Sequence, residues 1–213
     1  MICINDKYAD AIINDIRNQE TNSDTLKTLL YTLGVKMGQT IVGDLFTEER
    51  SVITPMGLTH TGLHIANQRV VVISTKDDYE NFADGVASTM SDALRGYMDF
   101  SGIRGEKALS YPIRSMLLPE NRSSGGVSCV IVAKSVLATG CTAISLTKKA
   151  IEAYNPRHIV IATVFYSDNG ISEILQEIAN ADIYAFGSPD KMDKHGMLIP
   201  GVGNLDVRLK ADN

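Results

Sequence analysis

The chain contains no tryptophan, and phenylalanine and tyrosine are few, with aromatics at 6% of its 213 residues. Any core built from it must be mainly aliphatic. Cysteine is scarce as well. Cys3, Cys129 and Cys141 form an odd set with no Cys-x-x-Cys pair, which argues against a disulfide framework and fits a reduced, cytoplasmic protein. Basic charge is outnumbered: 20 Lys and Arg stand against 25 Asp and Glu, for a net charge of -5. With no long basic run, nucleic acid is not an expected partner, although a local anion site remains open. Apolar runs such as Arg69–Ser74 and Ser128–Ala133 are far shorter than a membrane span of about 20 residues, so no membrane partner is expected. The opening Met-Ile-Cys-Ile-Asn-Asp lacks the basic start of a signal peptide. Among four histidines only His60 and His64 have a metal-ligand spacing. They fall in a Thr- and Gly-rich stretch that reads as a hairpin, where that spacing does not place them on one helix face. No metal site is expected.

What is present suits one α/β domain. The length matches a single sizeable core, and 44% hydrophobic with 21% charged residues is ordinary for a soluble protein. Asp6–Asn18 reads as a helix. Ser23 is a candidate N-cap for a second, whose stripe is Leu26, Leu29, Leu30, Leu33, Met37, Ile41 and Leu45. Gly34 and Gly38 would permit close packing of that helix. Ser51–Thr54 and Leu58–Ile65 suggest a hairpin around Pro55-Met56-Gly57. Buried strands are expected at Arg69–Ser74, Ser128–Ala133, His158–Phe165 and Asp182–Phe186, with a further strand at Ala108–Met116 interrupted by Pro112. Helices are expected at Asp78–Arg95, Thr142–Ala153 and Ile171–Asn180. Pro119–Gly126 reads as a loop. Alternating strands and helices imply a parallel sheet whose ligands sit beyond the carboxyl ends of the strands. The N-terminal helices and hairpin span 1–68, the core sheet 69–190 and the tail 191–213.

Leu137-Ala138-Thr139-Gly140-Cys141-Thr142 lies between a buried strand and a helix. Small residues let backbone approach a ligand, and the first N–H groups of a helix have no intrahelical partner. Together with the helix dipole they make an anion nest, to which the Thr139 and Thr142 hydroxyls can add donors. The plainer alternative is a strand–helix connection with threonine as cap.

This segment resembles the phosphoribosyl diphosphate (PRPP) motif of uracil phosphoribosyltransferases, written DPMLATGGS. TNSDTLKTLLYTLGVKMGQTIVGDL looks like the family's N-terminal helix, SVITPMGLTHTGLHIANQRVVVIS like its hairpin and first core strand, and HGMLIPGVGN like its HGYIIPGLGD. The resemblance implies a phosphoribosyltransferase-type parallel sheet flanked by helices with a small hood, and a homodimer or larger assembly. It implies transfer of a ribosyl phosphate from magnesium-bound PRPP to uracil, giving UMP and diphosphate. Magnesium is implied only if PRPP is used. By position, Ala138, Thr139, Gly140, Cys141 and Thr142 would hold the 5′-phosphate. Met197, Ile199, Gly201, Gly203 and Asn204 would form the hood over the base.

Three departures fall on the chemistry. Lys134 stands where the family has the ribose-contacting Asp of its motif. Asp77-Asp78-Tyr79 aligns with an Arg-Ala-Gly that serves the diphosphate. The tail's Gly-Asp-Ala-Gly-Asp-Arg becomes Gly203-Asn204-Leu205-Asp206-Val207-Arg208. Exchanging Arg for Asp about 4 Å from diphosphate turns attraction into repulsion, on the order of 4 kcal/mol at an effective dielectric of about 20. Lys134 and Asp77 or Asp78 could pair across the space PRPP would fill. The alternative is that each is a solvated loop charge. Lys134, Asp77 and Asp78 are also the candidate catalytic groups.

Other candidates carry two readings. Arg114 faces a second anion beside Lys134, or faces solvent. Cys141 is a thiol at a helix start or, in the favoured reading, a small residue filling a tight loop. His195 lies near the hood or is a surface turn residue. Asp168 contacts a ligand or caps the next helix. Function is left between three expectations: a binder of a nucleotide or phosphorylated ligand (UMP, uracil or PRPP-like) without ordinary transfer, an active transferase of pyrimidine salvage, and an enzyme of altered chemistry in which a buried Lys134 with a depressed pKa acts as base.

Overall fold

The computed structural model describes residues 1–100, 107–110, 113–120 and 126–211. At its centre is a seven-stranded sheet. Its strands are β1 (Ile2–Ile4), β4 (Val70–Thr75), β5 (Leu94–Asp99), β6 (Ser115–Leu117), β7 (Cys129–Ala133), β9 (His158–Thr163) and β11 (Ala181–Phe186), in the order β1-β11-β9-β7-β4-β5-β6. The remaining strands form three pairs. They are the hairpin β2 (Thr47–Ile53) and β3 (Thr59–Ile65), the short parallel pair β8 (Val136–Leu137) and β10 (Phe165–Tyr166), and the tail pair β12 (Lys191–Met192) and β13 (Leu198–Ile199). All ladders of the central sheet are parallel except β5 with β6. The α/β fold expected from the alternation is the observed one.

The two faces follow from period-2 alternation in fully buried strands. Val70, Val72, Ile131, Ala133, Val160 and Ala162 share one core cluster with α1 (Lys7–Arg17), α2 (Ser23–Leu45) and α4 (Phe82–Ser88). Val71, Ile73, Val130, Val132, Ile159 and Ile161 share the other with α6 (Cys141–Tyr154) and α7 (Asp168–Glu177). Three short helices, α3 (Lys76–Tyr79), α5 (Lys107–Ser110) and α8 (Leu205–Arg208), complete the described elements. Helices α2 and α4 meet backbone to backbone. A Cβ on Gly34 would lie 2.2 Å from the Phe82 carbonyl oxygen, and one on Gly85 would lie 2.1 Å from that of Tyr31.

Several expectations are corrected. Asn22, not Ser23, caps α2 by accepting from the Thr25 amide at 2.9 Å. Ser23 is buried and donates to the Leu209 carbonyl at 2.7 Å. The expected helix Asp78–Arg95 is α3, then α4, then the start of β5. Asn81 breaks it, with a backbone outside the helical region and its side chain accepting from the Phe82 amide. Ala108–Met116 is not one strand: its described residues hold the end of α5 and the start of β6, while Pro112 lies outside the described residues. Most of the Pro119–Gly126 loop, 121–125, also lies outside them. His158–Phe165 is divided at Val164, because the Val164 and Phe165 amides both turn to the Ser135 carbonyl (3.1 and 2.9 Å). The edge strand β1 was not expected from the sequence.

Candidate functional site

At the carboxyl ends of β4 and β7 a cleft of about 270 Å³ opens between the loop before α6 and the tail. On one wall β8 leads into the turn at Gly140. The chain bends there with φ +76, a left-handed conformation open to glycine, and a Cβ would lie 2.6 Å from the Gly170 carbonyl oxygen. Gly140 has no side chain with which to cap α6, and the first intrahelical bond runs from the Ile144 amide to the Gly140 carbonyl at 2.9 Å. The amides of Cys141, Thr142 and Ala143 precede that bond and carry the helix's positive end. Behind the turn, Ser167 donates to the Ala138 carbonyl at 2.6 Å and accepts from the Gly170 amide at 2.9 Å, which fastens the loop to α7. Sequence reading missed Ser167 and Gly170; the Ser-x-x-Gly spacing at a helix start was the available signal.

The opposite wall carries charge. Lys134 leaves the end of β7, its Nζ 2.6 Å from Oδ2 of Asp78, and their side chains are 14% and 2% exposed. Asp78 also accepts from the Thr75 hydroxyl at 2.9 Å and from the Ser135 hydroxyl. Burial by itself pushes the Lys134 ammonium down. Asp78, with Asp206 and Asp77, outweighs it and holds Lys134 above its ordinary value. Lys134 is therefore a charged donor, which corrects the expectation of a depressed, basic lysine. Asp77 points elsewhere, to Lys210 Nζ at 2.6 Å. The Lys210 ammonium is raised too, chiefly by its hydrogen bond to Asp77 against the cost of burial. Lys76 approaches Asp99 at 3.8 Å on the same wall. Lys210, Thr75 and Ser135 were not singled out from the sequence.

Not every expected residue meets the cleft. Ala138, Thr139, Gly140 and Thr142 line it, as do Lys134, Asp77, His195, Met197 and Gly203. Cys141 lines a groove between α6 and α7 instead, its Sγ 3.9 Å from the Thr139 carbonyl oxygen. Gly201 is buried against Asp190 and Arg17, and Ile199 is exposed. Asn204 caps α8, accepting from Val207 N at 3.4 Å. Arg114 is exposed before β6, its amide donating to the Asp99 carbonyl at 2.9 Å. Asp168 is the exposed first residue of α7, and Ser167 holds the capping position assigned to it. Arg208 fastens the tail to the end of α1, donating to the carbonyls of Ile16 (2.8 Å) and Asn18 (2.6 Å).

Comparison with known proteins places this architecture. The family model described as uracil phosphoribosyltransferase matches residues 3–209. The chain belongs to the uracil phosphoribosyltransferase family. Among its curated relatives, the uracil phosphoribosyltransferase of Sulfolobus acidocaldarius is 25% identical over 203 residues, covering 92% of each chain. That of Natronomonas pharaonis is 23% identical over 202 residues, covering 92% of this chain and 89% of the relative. The AQ2163 protein of Aquifex aeolicus has the same fold, with a TM-score of 0.80 at 22% identity over 98% of this chain and 96% of that one. In this member of the uracil phosphoribosyltransferase family, no group of three or more His, Cys, Asp or Glu side chains among the described residues is arranged to hold a metal ion. No described helix is long and apolar enough to cross a membrane.

Proposed function

We propose that this uracil phosphoribosyltransferase homologue binds a nucleotide or other phosphate monoester, with UMP as the probe of choice, and does not carry out ordinary transfer from PRPP. The observation that carries the reading is the 2.6 Å Lys134–Asp78 pair in the wall facing the Gly140 loop. The loop amides and the positive end of α6 suit one phosphoryl group, with Ala138, Thr139, Gly140, Cys141 and Thr142 as the binding backbone. The facing wall presents Asp77, with Asp78 buried behind Lys134, where the family resemblance calls for an arginine-bearing segment. Lys134 spends its charge on Asp78. Arg114, exposed and away from the cleft lining, offers no compensation for a diphosphate. Magnesium does not fit this wall either. The charged Lys134 ammonium in the lining repels a divalent cation, and no group of three or more acidic, His or Cys side chains among the described residues is arranged to hold one.

The hairpin supports a homo-oligomer as part of the proposal. Ile53, Leu63 and Ile65 are 79%, 76% and 60% exposed and alternate onto one face of β2–β3, and an isolated two-stranded ribbon is marginal in water. A reduced, cytoplasmic setting belongs to the same reading.

The test pairs activity with binding. Uracil plus Mg-PRPP is expected to release no diphosphate above background, while UMP raises the melting temperature. A ligand at about 100 times its dissociation constant adds ~2.7 kcal/mol. Steady UMP production would overturn the reading and make the protein an active transferase.

A further inference from the structure

The base of the tail hairpin is closed by one partly buried ion pair. Asp190 immediately precedes β12, and Gly201 follows β13 by two residues. Arg17, the last residue of α1, donates from Nη2 to Asp190 Oδ1 at 2.8 Å and from Nη1 to Oδ2 at 2.9 Å. The same Nη1 donates to the Gly201 carbonyl at 2.7 Å, and the Gly201 amide returns to Asp190 Oδ2 at 3.2 Å. The guanidinium lies 4.9 Å from the centre of the Phe165 ring. A Cβ on Gly201 would lie 2.2 Å from the Leu198 carbonyl oxygen, so the turn has no slack.

This cluster also reaches the Gly140 loop. The Asp190 amide donates to the Tyr166 carbonyl at 2.7 Å, and Tyr166 pairs in β10 with Leu137 of β8, the strand that enters the loop. The two sides of the cleft, Thr139–Thr142 and Gly196–Gly203, are thus connected through Asp190. A planar guanidinium can bridge both carboxylate oxygens and a carbonyl; a lysine ammonium keeps the charge without that fork.

We infer that Arg17 and Asp190 are positioning residues that set the spacing between the hood and the phosphate loop, so that a ligand is held at both ends at once. The inference rests on the proposed binding of a phosphate monoester. Neither residue lines the cleft, so their effect passes through the hood turn.

Two variants test it, Arg17→Lys and Asp190→Asn, each checked for a cooperative unfolding transition. The probes are UMP and inorganic phosphate by calorimetry, with hydrogen exchange on the ligand-free proteins. In both variants UMP affinity is expected to fall about tenfold or more while phosphate affinity stays within about twofold. The Gly196–Gly203 amides should exchange about tenfold faster, and those of β4 and β7 should be unchanged. Equal loss for both probes would mean general destabilisation and would overturn the inference. So would unchanged exchange in the hood. Failure of the unaltered protein to bind either probe would instead remove the binding reading beneath it.

Discussion

Asp78 uses both carboxylate oxygens: Oδ1 takes the Ser135 hydroxyl, and Oδ2 takes the Thr75 hydroxyl and the Lys134 ammonium. Removing one partner from such a buried pair leaves an uncompensated charge. Lys134→Met is expected to lower unfolding free energy by about 3–5 kcal/mol in urea titrations, and adding Asp78→Asn should recover most of it. The pair also predicts an alkaline limit. The folded value of Lys134 lies above its ordinary 10.5. Its contribution is therefore complete below pH 10.5 and is lost as pH rises through the higher folded value. Stability above pH 10.5 should fall more steeply in the natural protein than in the Lys134→Met, Asp78→Asn double variant; parallel curves would contradict this. That Lys134 and the Asp77-Asp78 segment carry opposite charges and could pair was legible in the sequence, but the choice of Asp78 over Asp77 was not. Adjacent helical residues point about 100° apart, so the phase of α3 decides which of them meets Lys134 and which meets Lys210.

Elements held together by backbone contact leave little room for side chains. At Gly140, alanine would meet the Gly170 carbonyl oxygen at 2.6 Å in a left-handed backbone. Gly140→Ala should cost about 1–3 kcal/mol and abolish phosphate binding, which thermal melts with and without phosphate would register. Gly34→Ala tests the α2–α4 contact: a loss of about 2 kcal/mol or more is expected, with phosphate affinity in the surviving folded protein unchanged. The four continuous apolar strands were readable because burial on both faces removes polar residues from them. β5 was not. Its Leu94-Arg95-Gly96 start carries an arginine whose guanidinium lies 4.3 Å from the Tyr79 ring centre and pairs with Asp84 at 2.9 Å, so charge inside the strand imitated the end of an amphipathic helix. For the tail residues expected to form a hood, the sequence did not reveal which of them face the cleft. Met197 and Gly203 meet the cleft, whereas Ile199 and Gly201 turn from it.

At the scale of the whole molecule, the family fold is retained from residue 3 to 209, and the proposed change of function is concentrated in one wall of one cleft. The fold was legible because alternating buried strands and helices permit few arrangements. The connection from α1 to the tail was not, because Arg17 and Asp190 are 173 residues apart and neither carries a local signal. The most direct measurement is calorimetric titration with Mg-PRPP beside ribose 5-phosphate. If the Lys134–Asp78 wall refuses the diphosphate, PRPP binds no more than about threefold tighter than ribose 5-phosphate. A preference for PRPP of about a hundredfold or more would contradict the account.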